Sequence, residues 1–220
     1  MKIFNFEGPV FVFLSRLADL FWLNLLYILC CIPVITAGVA TTALYYVTLK
    51  MAKDEEGYIT RSFFKSFKDN FVQATVIWLA FLAVMVVMFL DFRIANGGNM
   101  AEVFNSQAVS NVVIVAVGVM VIVVMMTLTY VFPLLAQFDN TVVNTVKNAF
   151  LISVRHLPYT FLMILITAIP YALIWFSPAL LILVMIMFSA TAYINSKFFN
   201  RIFVLYMPKE EGINGEGREE

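Results

Sequence analysis

Four long stretches of the chain contain no Asp, Glu, Lys or Arg. They cover residues 20–49, 70–90, 103–138 and 157–196. A helix needs about 20 mostly apolar residues to cross a hydrocarbon core of ~30 Å, and helices in soluble cores are rarely that long. The pattern therefore predicts an all-α fold, a polytopic transmembrane helix bundle with about five spans.

Helix-start signals and polar segments divide these stretches into individual spans. The second and third spans are predicted at residues 72–90 and 108–135. The last stretch divides at Ser177-Pro178, where an N-cap residue is followed by a first-turn proline. That junction predicts two further spans, at residues 157–176 and 178–199.

The first stretch is too long for one straight span. Residues 20–49 would measure about 45 Å as a helix rising 1.5 Å per residue. Because Pro33 and Gly38 lie near its middle, we expect the helix to be kinked or broken there. One tilted, kinked span is preferred, since each arm of a hairpin within this stretch would have only about 15 residues. A tight hairpin that uses residues from Phe11 onward is the alternative.

Both ends of the chain are predicted to lie outside the spans. Phe11, Leu14 and Leu17 recur at helical spacing near the N-terminus, which favours a helix lying at the membrane interface before the first span. Residues 208–220 are too polar to pack and are expected to form a disordered cytoplasmic tail. The integral membrane domain is therefore predicted to be residues 1–207.

Composition narrows the chemistry that the chain can perform. Apolar residues make up 62% and charged residues 13%, against about 45–50% and about 25% in soluble domains. The net charge is zero, which indicates no nucleic-acid partner. The two cysteines are the neighbours Cys30 and Cys31, a pattern that favours packing over a disulfide or a metal site. Because the sequence has no P-loop, nucleophile elbow or zinc-binding spacing, we expect no enzyme activity, no cofactor and no metal.

The positions of Lys and Arg assign the two sides of the membrane, because cytoplasmic loops collect these residues. With five spans, Lys2, Arg16 and Arg93 lie outside, and the rest of the 14 basic residues lie in the cytoplasm with the C-terminus. If the first stretch is a hairpin, the N-terminus moves to the cytoplasm and only Arg93 stays outside.

Residues 58–71 carry the strongest amphipathic pattern in the chain. Cations recur at i, i+4 and i+7 on one side of the predicted helix, and aromatic residues cover the other. Such a helix lies in the headgroup region and binds anionic lipids of the bilayer, although docking to a partner protein is the alternative. The predicted lipid-interface residues are Arg61, Phe64, Lys65, Phe67, Lys68 and Phe71.

Polar residues inside the predicted spans are neutral. A charge at the bilayer centre costs at least about 2.5–3.5 kcal/mol, and no ionisable residue falls near the middle of a span. We therefore expect the Ser, Thr and Asn side chains to form hydrogen bonds between helices. A broken helix also exposes backbone groups to a ligand. The residues of such a site would be Asn24, Pro33, Thr36 and Gly38.

Several short segments of the chain together resemble a known family. They are Leu23 to Leu26, Ile32 to Gly38, Ala43 to Tyr46, Phe63 to Phe71, Phe132-Pro133, Phe138-Asp139 and Lys147 to Phe150. The series is similar to YesL-type bacterial membrane proteins and covers nearly the whole chain except the tail. Ala37 and Val39, beside Gly38, are minor departures from the family's pattern.

The resemblance implies a multi-pass protein of the bacterial plasma membrane, in a family of unknown molecular function. Members are often associated with carbohydrate uptake and degradation in Gram-positive bacteria. An accessory or regulatory component linked to carbohydrate uptake is therefore the preferred hypothesis, with a membrane transporter complex as its partner. A small-solute permease that acts on its own is the alternative, and a membrane-embedded enzyme has no candidate residues in this sequence.

Overall fold

The computed structural model describes residues 9–55, 57–96, 107–176 and 181–207. Within these ranges the chain is helical and contains no β-strand, which confirms the all-α prediction. The helices are α1 (Pro9–Cys31), α2 (Ala37–Ala52), α3 (Ile59–Asp69), α4 (Phe71–Asn96), α5 (Gln107–Gln137), α6 (Val142–Arg155), α7 (Leu157–Phe176) and α8 (Leu181–Phe203). The predicted tail at 208–220 and the Ser177-Pro178 junction lie outside the described residues.

Four of the helical segments are long and apolar enough to cross a membrane, namely Phe11–Cys31, Val34–Ala52, Phe71–Ile94 and Asn111–Gln137. A fifth candidate consists of α6 and α7 taken together, although the chain bends by 104° between them. These helices confirm the prediction of about five spans.

The first two helices form a hairpin, so the preferred single kinked span was wrong. Arg16 in the first half of α1 forms an ion pair with Asp54 just beyond α2. Nearer the other end, the hydroxyl groups of Tyr27 and Thr41 lie 3.4 Å apart. Contacts that join the beginning of one helix to the end of the next require the two helices to run antiparallel.

The first arm of the hairpin is long enough to span a membrane because α1 begins at Pro9 and not near residue 20. It continues without a break to Cys31 and has 23 residues, so the expected separate interface helix near the N-terminus is not formed. The break falls where the sequence predicted it. Pro33 precedes a single 3-10 turn, Val34–Thr36, and α2 follows directly.

The described helices pack as three pairs, α1 with α2, α4 with α5 and α7 with α8. The first helix of each pair also packs against the second helix of another pair: α1 on α8, α4 on α2 and α7 on α5. The short helices α3 and α6 follow α2 and α5, respectively, and pack against them. The first two pairs are therefore each followed by a short amphipathic helix, whereas no such helix follows α8 within the described residues.

The second helices of the three pairs meet in the core. Phe199 of α8 contacts both Tyr45 of α2 and Tyr130 of α5 edge to face, with ring centroids 5.6 Å and 5.2 Å apart. Further along α8, the amide of Asn200 donates to the carbonyl of Leu49 at 3.1 Å. The ends of α2, α5 and α8 thus lie on one side of the molecule, the charged end, with α3 and α6.

The outer parts of α4 and α5 project beyond the α1–α2 hairpin. The indole of Trp78 donates to the carbonyl of Val34 at 2.7 Å, so the tip of that hairpin meets α4 only about two turns from its start. Few other helices cover α4 and α5. In the most apolar 18-residue segment of each helix, 11% of the α4 residues and 6% of the α5 residues are buried, against 56% of those in the span that contains α2. The projecting helices expose the apolar surface that lipid covers in a membrane.

Candidate functional site

Side chains bond to three backbone carbonyls at the break between α1 and α2. The single hydroxyl proton of Thr36 is shared between the carbonyls of Cys30 and Pro33, at 2.7 Å and 2.8 Å. The carbonyl of Val34 accepts the indole N–H of Trp78. Side chains of the protein therefore occupy carbonyl groups that a ligand would otherwise coordinate.

The other two residues of the predicted site have packing roles. A Cβ atom on Gly38 would lie 2.6 Å from the Cβ of Trp78 and 3.0 Å from a ring carbon of Phe132, so glycine allows α2 to approach α4 and α5 closely. Asn24 lies apart from these residues. Its side-chain oxygen accepts the backbone N–H of Ser189 on α8 at 3.0 Å. A ligand site at the break remains a prediction.

Some polar residues of the spans form hydrogen bonds between helices, as the sequence predicted, whereas others, such as Thr129, bond within their own helix. Thr48 of α2 and Ser196 of α8 are 2.8 Å apart and both are buried. The amide of Asn195 on α8 donates to Thr167 on α7 at 2.9 Å. Tyr130 of α5 likewise bonds to a threonine on α7. The first and third of these bonds join different helix pairs, and the bond between Asn195 and Thr167 lies within the α7–α8 pair.

An open groove of about 810 Å³ lies at the charged end between α1 and α3. This volume falls within the range of about 300–1,000 Å³ that is typical of small-molecule sites. The loop before α3 forms one end of the groove. The main side chains of this α1–α3 groove are Asp19 and Trp22 from α1, and Arg61, Phe64, Lys65 and Lys68 from α3.

The position of α3 follows from its apolar face. Phe63 is fully buried in the core, and Phe67 stacks on it with ring centroids 6.2 Å apart. On the groove side, the indole of Trp22 donates to the hydroxyl of Thr60 at 2.9 Å. These contacts hold α3 against the bundle on one side and leave its other side open.

The predicted lipid-interface residues therefore do not share a single surface. Phe64 and Phe71 are 40% and 41% exposed, whereas Phe67 packs against the core. Arg61, Lys65 and Lys68 are exposed along one side of α3, as their spacing predicted, and this side lines the groove. Phe63 belongs to the aromatic face that the sequence predicted, but it is buried in the core. Its four-residue spacing from Phe67 was the signal for a buried face.

The groove is more positive than the neighbouring cavity. Within the described residues, its three cations form no ion pair, and the one described carboxylate in its wall is Asp19. A second cavity of about 450 Å³ lies on the other side of Asp19. There two cations, Arg16 and Lys50, face three carboxylates, Asp19, Asp54 and Glu55, so negative charge is in excess.

The second amphipathic helix, α6, provides a comparison with α3. The Thr141 side chain caps its first turn by accepting the N–H of Asn144. Beyond its last residue, His156 lies 3.2 Å from the hydroxyl of Tyr206. Burial, and then the charge of Arg155, lower the pKa of His156. The imidazole is therefore held in its neutral form near pH 7.

The sequence is similar to known proteins over part of its length. Residues 20–92, from α1 into α4, match the model of a family described as "Protein of unknown function, DUF624". The "Uncharacterized protein YteU" of Bacillus subtilis (strain 168) is 25% identical over 142 residues, which cover 64% of this chain and 60% of that protein. No solved structure matches the chain.

Proposed function

We propose that this protein is an accessory or regulatory subunit of a carbohydrate-uptake system in the bacterial plasma membrane, with no chemistry of its own. The observation that carries the proposal is the use of polar side chains in the spans. Asn24, Thr48 and Asn195 each bond to another helix of the same chain. A bundle whose polar groups hold its own helices together is suited to act as a scaffold.

The proposed link to carbohydrate uptake rests on the resemblance to YesL-type proteins. The segments that resemble YesL-type proteins include Ile32 to Gly38 and Phe63 to Phe71, both of which fall within the matched residues 20–92. Members of that family are often associated with carbohydrate uptake. The proposal assigns the partner to the same membrane, where the projecting α4 and α5 helices offer apolar surface to another spanning protein.

Co-purification tests the proposal directly. The full chain, tagged and expressed in its native cells on a carbohydrate that it helps to import, should retain membrane subunits of a transporter in mild detergent. Quantitative mass spectrometry should find them at near-equal amounts, and an unrelated tagged multi-pass protein serves as the control. Deleting the gene should lower uptake of a labelled sugar, and expression of the chain should restore it.

Two results would contradict the accessory role. One is recovery of the chain alone from cells that are importing the sugar, even after crosslinking in the membrane. The other is uptake of a labelled solute by vesicles that contain only the purified chain, which would establish a permease instead.

The permease alternative rests on the broken helix and has its own test. If the break forms a transport site, Pro33→Ala should reduce uptake into such vesicles, and Thr36→Val should do the same. Thr129→Val is the matched control, because the Thr129 hydroxyl bonds only within its own helix, to Met125. Unchanged uptake in both break variants would remove the break from the transport mechanism.

A further inference from the structure

The α1–α3 groove combines features that suit one kind of molecule. Arg61, Lys65 and Lys68 place three cations along one wall, each exposed and without an ion-pair partner among the described residues. Trp22 and Phe64 add apolar surface to the same groove, and they are 47% and 40% exposed. A ligand that satisfies both parts must carry an anion and a hydrocarbon chain.

We propose that the α1–α3 groove binds one anionic glycerophospholipid, with its phosphate at the three cations and an acyl chain against Trp22 and Phe64. The cations recur every turn on a helix, so several of their donors reach one phosphate. A lipid is the occupant because an aromatic wall beside basic residues is the arrangement found where membrane proteins meet headgroups. This proposal does not depend on the accessory function.

Asp19 gives the groove a preference among headgroups. It lines the same groove as the cations but from α1, one helical turn from Trp22. A carboxylate repels a second phosphate but accepts hydrogen bonds from hydroxyl groups. The groove should therefore favour a headgroup with one phosphate and free hydroxyls, such as phosphatidylglycerol, over one with several phosphates.

The positions of the other cations allow specific binding in the groove to be distinguished from general attraction to a positively charged surface. The neighbouring cavity has more carboxylates than cations, and Arg16 there is already paired with Asp54. Other exposed cations, including Lys147, Lys197 and Arg201, do not line the α1–α3 groove. Removing these three cations changes the net charge as much as removing the groove's three, but leaves the groove intact.

Native mass spectrometry of the full chain in detergent tests the proposal. Phosphatidylglycerol and phosphatidylcholine with the same acyl chains are added separately, and bound lipids are counted. The parent chain should retain one phosphatidylglycerol with an affinity at least about fivefold above that for phosphatidylcholine, since one cation near an anionic lipid contributes about that factor. Arg61→Gln/Lys65→Gln/Lys68→Gln should lose this preference, and Lys147→Gln/Lys197→Gln/Arg201→Gln should keep it.

Three outcomes would overturn the proposal. The first is equal retention of the two lipids by the parent chain, a result that needs no variant and so does not depend on whether a variant folds. The second is an equal loss of preference in both triple variants, which would indicate general surface charge. The third is displacement of the lipid by a tenfold excess of free glycerol phosphate, which would identify a soluble phosphate as the ligand.

Discussion

Arg16 and Asp54 form an ion pair between the two open ends of the α1–α2 hairpin. Asp54 has a φ of 56°, in the left-handed region that often ends a helix. The same guanidinium donates to the hydroxyl of Tyr193 on α8 at 2.7 Å. One side chain therefore connects both arms of the hairpin to the last helix.

The two partners of this ion pair should differ in their effect on stability. Their side chains are 43% and 72% exposed, and exposed pairs contribute about 0–1 kcal/mol. Asp54→Asn should therefore lower the free energy of unfolding by less than about 1 kcal/mol, because asparagine also tolerates the left-handed backbone. Arg16→Gln should cost more, since it also loses the bond to Tyr193. Denaturation in detergent measures both, and a larger loss for Asp54→Asn would contradict the assignment.

Glycine is required at residue 38 and dispensable at residue 118. Gly38→Ala would place a Cβ atom 2.6 Å from the Cβ of Trp78. Because that atom cannot swing away, helices must shift, at a cost of about 1–3 kcal/mol. Gly118→Ala is the matched control, since its Cβ would meet nothing within 4 Å. Thermal unfolding in detergent should show a lower midpoint for the first variant only. Equal midpoints would show that the packing around Gly38 is looser than described.

The start of one element could be predicted closely because a local signal marks it. The span predicted from residue 157 begins where α7 begins, at Leu157, since a basic segment precedes it. The start of α1 was misjudged because Arg16 and Asp19 suggested a polar boundary. A long side chain that reaches a partner at the helix end is tolerated in a span, and the partner of Arg16 is 38 residues away in sequence.

The candidate site was predictable only in part, for the same reason. The cation stripe of Arg61, Lys65 and Lys68 follows from helical periodicity within one segment. The groove, in contrast, depends on α1 lying beside α3, and the bond between Trp22 and Thr60 joins residues 38 positions apart. Periodicity in either segment alone contains no information about that contact.

Asn24 should matter for the packing of α8. Ser189 donates its backbone N–H to the Asn24 oxygen, and both residues are fully buried. Interhelical hydrogen bonds in membranes contribute about 0.6 kcal/mol on average and at most about 1.7. Asn24→Leu should lower the free energy of unfolding by an amount in that range. Thr129→Val removes only a bond within one helix and should be neutral. A neutral Asn24→Leu would mean that apolar packing replaces the bond.

The pairing of α4 with α5 places the loops before α3 and before α6 on the same side of the membrane. Glu55, before α3, and Asn140, before α6, both lie at the charged end. Each is replaced by a single cysteine in a protein whose own Cys30 and Cys31 are changed to Ser. An impermeant thiol reagent should label both sites from the same side of sealed vesicles, and the charge distribution predicts the cytoplasmic side. Labelling from opposite sides would exclude this arrangement of α4 and α5.

His156 should make its contact with Tyr206 sensitive to pH. Its pKa is lowered by burial and then by Arg155, so the folded state favours the neutral ring. In the unfolded chain the imidazole titrates near about 6.5. The stabilisation from the neutral ring is therefore complete above that pH and is lost as the pH falls towards the lower folded value.

The matched comparison for this residue is His156→Gln. Glutamine does not titrate in this range, and its amide can replace the bond to the Tyr206 hydroxyl, 3.2 Å from Nε2 in the parent chain. Between about pH 7.5 and about pH 5, the unfolding midpoint of the parent should fall more steeply than that of His156→Gln. Because the other ionisable groups are common to both proteins, the difference between the two slopes isolates the imidazole. Parallel slopes would show that protonation of His156 does not oppose folding.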